Sequence, residues 1–198
     1  VASGSQKGYM IPPGLSFIAM SQKAWEAAEK SNLPKFYLNL KSYRKSLLSN
    51  SNPYTPAVNL VFALDESLKM MREEGLDNIF FRHNKHKLAM SNAVKALNLK
   101  LFADEKYLSP SITAIKTGEM DAEEFRKTIK NKFDILLAGG QDHLKGKIFR
   151  VGHLGYVNHR DIITVVSAIS NTLLDLGKIT AEQAGEALVM ASKYLEEN

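Results

Sequence analysis

Lys7 is the first residue placed to do covalent chemistry. It closes the run Val1-Ala2-Ser3-Gly4-Ser5-Gln6-Lys7 and is followed by Gly8-Tyr9-Met10-Ile11-Pro12-Pro13-Gly14. A lysine held at a strand end by glycines and small hydroxyls can form a Schiff base with a carbonyl when it sheds its proton near neutral pH. A surface lysine in a small-residue loop gives the same pattern. Arg150 lies in Ile148-Phe149-Arg150-Val151-Gly152-His153-Leu154-Gly155, on an apolar strand, and needs an anionic partner there. That partner is a carboxylate gripped bidentately or the other half of a structural ion pair. In Pro53-Tyr54-Thr55-Pro56 a hydroxyl and free backbone amides stand at a helix start. Such a place binds phosphate or simply caps the helix. His83 and His86, three residues apart on one helix, could share a metal, but with Arg82, Lys85 and Lys87 around them they read as a basic solvent face.

The elements that must position these groups follow from the pattern. Residues 14–21 form a short apolar run bounded by Gly and Ser, which predicts a buried strand. With the strand before Lys7 it makes two strands joined by a Pro-Pro-Gly loop, in which either X-Pro bond could be cis. Ser21 caps a helix; residues 31–50 are ambiguous; 49–56 is a loop. Thr55 as N-cap and Pro56 at the first helical position open a helix over 57–74, with Val58, Leu60, Val61, Leu64, Leu68 and Met71 inward. Gly75 stops it. A second helix covers about 77–97, with Ile79, Phe80, Leu88, Val94 and Leu97 inward. Strands are expected at 99–102, 111–116, 133–138 and 147–152, and helices at 121–131, 160–176 and 180–196. The second half therefore reads as an α+β unit, a small and mostly antiparallel sheet covered by helices. The first ~74 residues, two strands with too little helix, are expected not to close a core of their own.

Composition narrows the classes. The chain has 198 residues, 44% hydrophobic and 24% charged, as in ordinary globular proteins. It has no cysteine, which excludes disulfides and thiolate metal sites. No stretch approaches the ~18 apolar residues of a membrane helix. The net charge of +5 is dispersed, with local clusters at Lys41, Arg44, Lys45 and at Arg82, Lys85, Lys87 and few aromatics beside them. That argues for solvated faces rather than a nucleic-acid platform.

Taken in order, these motifs resemble a known family. Ser3-Gly4-Ser5-Gln6-Lys7 with Pro12-Pro13-Gly14 is similar to the cofactor-lysine motif of class V pyridoxal-phosphate aminotransferases. The nearest branch is that of alanine–glyoxylate and serine–pyruvate aminotransferases, which also holds archaeal aspartate aminotransferase-like proteins and the cyanobacterial "soluble hydrogenase" small subunit. Tyr54-Thr55-Pro56-Ala57-Val58 and Phe149-Arg150-Val151-Gly152-His153-Leu154-Gly155 match the same branch at family spacing, so the resemblance covers essentially the whole chain.

The resemblance implies an α/β fold of the fold type I transferases. Residues 1–74 would be the end of the large cofactor-binding domain and 75–198 the small α+β C-terminal domain. It implies pyridoxal 5′-phosphate as cofactor, with Lys7 as the Schiff-base lysine and the proton carrier. Gln6 would lie against the cofactor. Thr55 would reach the cofactor phosphate of the neighbouring subunit, making the active site a property of a homodimer. Arg150 would bind the substrate α-carboxylate. Asn52 departs from the branch pattern, since human-type members carry a tyrosine there that also reaches the phosphate. The implied reaction moves an amino group from alanine, serine or aspartate to glyoxylate or pyruvate.

The resemblance also implies a further N-terminal half, bearing the aspartate on the cofactor's ring nitrogen, the stacking aromatic and most of the phosphate cup. The 198-residue chain is then expected to be a C-terminal fragment that holds the cofactor poorly and turns over little. The alternative is a structural or dimerisation module. Sulfur or phosphonate chemistry on the same fold is disfavoured because cysteine desulfurases need a catalytic cysteine. No nucleic-acid or membrane partner is expected. The tail Leu195-Glu196-Glu197-Asn198 carries no peroxisomal address, so the expected location is cytoplasmic.

Overall fold

The computed structural model describes residues 1–196. Glu197 and Asn198, half of the tail read for a targeting address, lie outside the described residues. The chain divides into two compact units, Val1–Glu73 and Glu74–Asn198.

The first unit opens with strand β1, Ala2–Gly4, paired antiparallel to β2, Ser16–Ile18, with Ser3 opposite Phe17. Only three residues of the 14–21 run pair, and Ile18 is exposed, so the expected buried strand is a short exposed ribbon. Helix α1, Gln22–Lys30, starts where Ser21 accepts from the Ala24 amide. The ambiguous stretch contains α2, Leu40–Leu48, capped by Asn39. Helix α3, Val58–Glu74, begins later than the Thr55–Pro56 pattern implies: the Val58 amide donates to the Pro56 carbonyl, and neither Thr55 nor Pro56 is helical. No peptide bond among the described residues is cis, so both prolines of the loop after Lys7 are trans.

The expected inward stripe of α3 holds only in part: Leu60, Leu64 and Met71 are half-buried. Val58, Val61 and Leu68 are exposed, and the one buried residue of α3 is Ser67, whose hydroxyl donates to the Tyr9 carbonyl at 2.5 Å. Among the residues of this unit only Ser5, Ile11 and Ser67 are buried, while Leu33, Phe36, Leu38, Leu47, Leu48 and Phe62 lie exposed. The unit presents apolar surface rather than enclosing it.

The second unit encloses a core. Its four strands, β3 (Lys100–Leu101), β4 (Ile112–Lys116), β5 (Ala138–Gly139) and β6 (Ile148–Gly152), form one antiparallel sheet in the order β3-β4-β6-β5. Four helices accompany it: α4 (Leu76–Ala96), α5 (Ala122–Phe133), α6 (His159–Asp175) and α7 (Ala181–Glu196). On α6 the buried residues Ile162, Val165, Val166, Ile169 and Leu173 recur at helical spacing, which is why this stretch is a helix with one apolar stripe. Its start is fixed by a capping box between Asn158 and Asp161. Helices α4 and α7 pack against each other, and both bury small residues, Ala89 and Ala93 on α4 and Ala184, Ala187 and Ala191 on α7. Phe149 is fully buried at the sheet centre, its ring 5.1 Å from that of Phe125 on α5. Burying such a side chain stabilises by roughly 1.5–3 kcal/mol. No described helix is long and apolar enough to cross a membrane.

Three expectations fail in this unit. The strand expected at 133–138 is mostly absent: α5 runs to Phe133, Asp134 caps it at φ 55°, and only Ala138–Gly139 pairs with β6. Phe80 of α4 is exposed rather than inward. The basic solvent face around His83 and His86 is not one. His86 is fully buried and His83 half-buried. Arg82 donates to both oxygens of Glu74 at 2.6 and 2.9 Å, and its Nη1 to the carbonyls of Gly155 and Val157.

Candidate functional site

Lys7 stands on a turn built by its buried neighbour. Ser5 is fully buried, and its hydroxyl donates to the Pro12 carbonyl at 2.7 Å while accepting from the Leu15 amide at 3.1 Å. Its amide donates to the Leu15 carbonyl, and its carbonyl accepts from the Ile11 amide. One small side chain thus joins both ends of the Pro-Pro-Gly loop to the end of β1. The turn is closed by the Lys7 amide on the Gly4 carbonyl and the Met10 amide on the Lys7 carbonyl. Met10 takes φ 60°, a left-handed conformation that side chains seldom adopt. Gly14, at φ 142°, packs so closely on α3 that a Cβ would lie 2.5 Å from the Leu60 side chain.

The amine of Lys7 is exposed at the top of this turn and has no ion-pair partner among the described residues. Beside it, a Cβ on Gly8 would meet nothing within 4 Å, so the approach is open. Gln6 is exposed too, folded back so that its Oε1 would be 2.7 Å from a Cβ on Gly4. Ser5→Ala is expected to leave the part-buried Leu15 amide and the Pro12 carbonyl each without the Ser5 hydroxyl as partner. The cost should be about 1–3 kcal/mol, read as a lower denaturant midpoint.

Thr55 is exposed on the approach to α3, and its hydroxyl makes no hydrogen bond among the described residues. The preceding residue is anchored. Tyr54 donates its hydroxyl to the Phe36 carbonyl at 3.1 Å, and its ring lies 4.8 Å from Tyr37 and 5.9 Å from Tyr43. Desolvation, and after it the neighbouring Tyr37 and Tyr54, raise the phenol pKa of Tyr43.

In the second unit, Arg150 is half-buried on β6, between Phe149 and Val151, which are buried. Its Nε donates to the Gly139 carbonyl at 2.8 Å. Neither Nη nitrogen has a protein partner among the described residues, so the structural ion pair, one of the two readings of Arg150, is not found there. A guanidinium fixed at Nε and free at both Nη nitrogens is set for a bidentate carboxylate.

His83 and His159 flank the buried His86, His83 half-buried and His159 exposed. His86 lies with its ring 6.4 Å from His83 and 5.5 Å from His159, and neither of its nitrogens has a partner. Burial first, then Arg82 and the neighbouring histidines, hold its pKa down to about 4. His153 is held to about 4 mainly by burial, its Nδ1 donating to the Pro110 carbonyl and its Nε2 accepting from Thr113. The described residues contain no cluster of three or more His, Cys, Asp or Glu side chains placed to hold a metal ion.

Lys7, Gln6 and Thr55 thus fall in the first unit and Arg150 in the second. The sequence did not single out Ser5 as the anchor of the turn, nor Gly139 as the acceptor for Arg150. A hydroxyl two residues before a lysine and a Gly-Gly pair at a strand end are the only signals either leaves.

No protein-family model matches the chain. It is 56% identical over 177 residues, 89% of its length and 46% of the relative's, to the soluble hydrogenase 42 kDa subunit of Anabaena cylindrica. It is 35% identical to the serine–glyoxylate aminotransferase of Methylorubrum extorquens, over 99% of the chain and 50% of that protein. The crystal structure of ureidoglycine–glyoxylate aminotransferase from Bacillus subtilis superposes with a TM-score of 0.86 at 29% identity, covering 99% of the chain and 51% of that structure. The chain spans about half the length of the curated relatives it matches. In sequence and in its α/β fold, it corresponds to the C-terminal half of the class V aminotransferases.

Proposed function

We propose that the intact protein is a pyridoxal-phosphate-dependent aminotransferase, moving the amino group of a small amino acid to a 2-oxo acid such as glyoxylate. The observation that carries this reading is the amine of Lys7, exposed and unpaired on a turn that the buried Ser5 holds rigid. Taken residue by residue, the chemistry suits the cofactor and substrate: the primary amine of Lys7 an aldehyde, the free hydroxyl of Thr55 a phosphate, and the two free Nη nitrogens of Arg150 a carboxylate.

When bound, pyridoxal phosphate supplies the electron sink that lets the Cα–H bond of an amino acid ionise. Lys7 would hold the cofactor through its amine, and that amine, when free and neutral, would take the substrate Cα proton as a base and give it up again as an acid. Arg150 binds the α-carboxylate common to all amino acids, which orients the substrate without choosing its side chain. Gln6 would lie against the cofactor ring. Thr55, exposed in this chain, would donate to the cofactor phosphate held by a second copy in a homodimer. The exposed apolar faces around Phe36, Leu47 and Phe62 are the surface that the N-terminal half and the dimer would cover. We place the protein in the cytoplasm.

The test is a panel of alanine, serine and aspartate against glyoxylate and pyruvate, run on the intact protein with and without pyridoxal phosphate. Cofactor-dependent keto-acid formation with alanine or serine is expected. Absence of turnover with every pair would leave the second reading, a non-catalytic dimerisation module.

A further inference from the structure

The aim of Arg150 depends on one backbone acceptor, the Gly139 carbonyl at 2.8 Å from its Nε. Gly139 belongs to β5, a strand of two residues at the edge of the sheet. Two ladder positions fix a strand poorly. The chain leading into β5 has no regular structure, and Leu136 there is exposed. What holds this segment is α5. Arg126 Nε donates to the Leu137 carbonyl at 2.8 Å, and Arg126 Nη1 pairs with Glu123 Oε2 at 2.8 Å. The pair lies directly on Gly139: a Cβ there would come 2.5 Å from Arg126 Nη1 and 2.6 Å from Glu123 Oε1. Glu123 Oε1 is buried without a hydrogen-bond partner. Folded proteins rarely retain such a cost without some compensating role.

The geometry points to Arg126, Glu123 and Gly139 as positioning residues for Arg150: the ion pair clamps β5 against α5, and the bare glycine lets it do so, so that the Gly139 carbonyl is held where it aims the guanidinium. The consequence is control of affinity for the substrate carboxylate by residues that never touch the substrate. This rests on the reading of Arg150 as the carboxylate site.

The test follows the Arg150 Nε–H resonance in the 15N-labelled intact protein, assigned by its loss in Arg150→Lys, during titration with pyruvate. Arg126→Gln and Gly139→Ala are expected to move this resonance before any ligand is added. They should weaken pyruvate binding roughly 3- to 10-fold, as for the loss of about one hydrogen bond. In turnover, KM for the amino acid should rise by the same factor while kcat at saturation is kept, and Arg126→Lys should recover part of the loss. Glu123→Gln, of nearly the same shape, replaces Gly139→Ala if that variant does not fold. An unmoved resonance with unchanged pyruvate affinity in the folded variants overturns the inference, as does a parallel loss of kcat and thermal stability without a change in KM. If the wild-type resonance itself ignores pyruvate, the carboxylate reading fails and the inference falls with it; variants that still displace the ligand-free resonance would mark that separate failure.

Discussion

Lys7→Ala in the intact protein is expected to abolish both the visible absorption that pyridoxal phosphate acquires on binding and all measurable transamination. The two losses have one cause but different sizes. Covalent attachment disappears because alanine has no amine to condense. Turnover disappears because the proton carrier goes as well, and a positioned general acid–base contributes about 10²–10⁴-fold by itself. Lys7→Arg is an equally severe test. It keeps the positive charge at the exposed turn but has no amine that can condense, so it should be as inactive as alanine. Neither substitution should unfold the protein, because the side chain of Lys7 is exposed and the turn is held by Ser5 and by backbone amides. A cofactor band that survives Lys7→Ala, read by absorbance after gel filtration, would sink the assignment.

Acidification from pH 7 to pH 4 is expected to unfold the second unit. His86 and His153 are each held to about 4 in the fold, mainly by burial. In the unfolded chain a histidine titrates near ~6.5. Between these values the unfolded chain binds protons that the folded one refuses. The stability contributed by each neutral, buried ring is therefore fully present above about pH 6.5 and is lost as pH falls toward 4. Each ring accounts for a loss on the order of a few kcal/mol by pH 4, and the two together approach the ~5–15 kcal/mol that holds a domain folded. His86 faces Arg82, His159, His153 and His83, all of which oppose its protonation. Glu74 adds to the loss at lower pH, because its hydrogen bond to Arg82 depresses its carboxyl pKa and that stabilisation goes as it protonates. His86→Leu separates the contributions. It removes two unpartnered buried nitrogens, so the acid midpoint by circular dichroism should move to lower pH. An unchanged midpoint would show that acid acts elsewhere.

Sequence and structure agree best where periodicity and caps point the same way. Ser21, Asp121 and the Asn158–Asp161 pair each start a helix within a residue of where the pattern puts it, and the stripe of α6 is buried as its spacing requires. The pattern misleads where apolar residues have nothing described to pack on. The stripe of α3 is a good helical stripe, yet Val58, Val61 and Leu68 are exposed, because amphipathicity reports a face to be covered and not what covers it. The run Ile135-Leu136-Leu137 looks like a strand, but its geometry is set by Arg126 reaching across from α5, a contact that no local pattern announces. His83 and His86 mislead for the opposite reason: surrounding Arg and Lys residues suggest solvent, while Arg82 is spent on Glu74 and two carbonyls and leaves the ring of His86 enclosed. Lys7, Thr55 and Arg150 are legible as residue types in order. The anchors behind them, Ser5 and Gly139, act through backbone groups, which leave little trace in side-chain identity.

The connection from β6 to α6 has no regular structure around Gly155, yet α4 grips it three times. Arg82 donates to the carbonyls of Gly155 and Val157, and the Gly155 amide donates to His83 Nε2 at 3.1 Å. For hydrogen–deuterium exchange, that amide belongs with the core rather than with the loops. It can exchange only when the connection leaves α4, so its rate reports the opening of the second unit from a position outside every helix and strand.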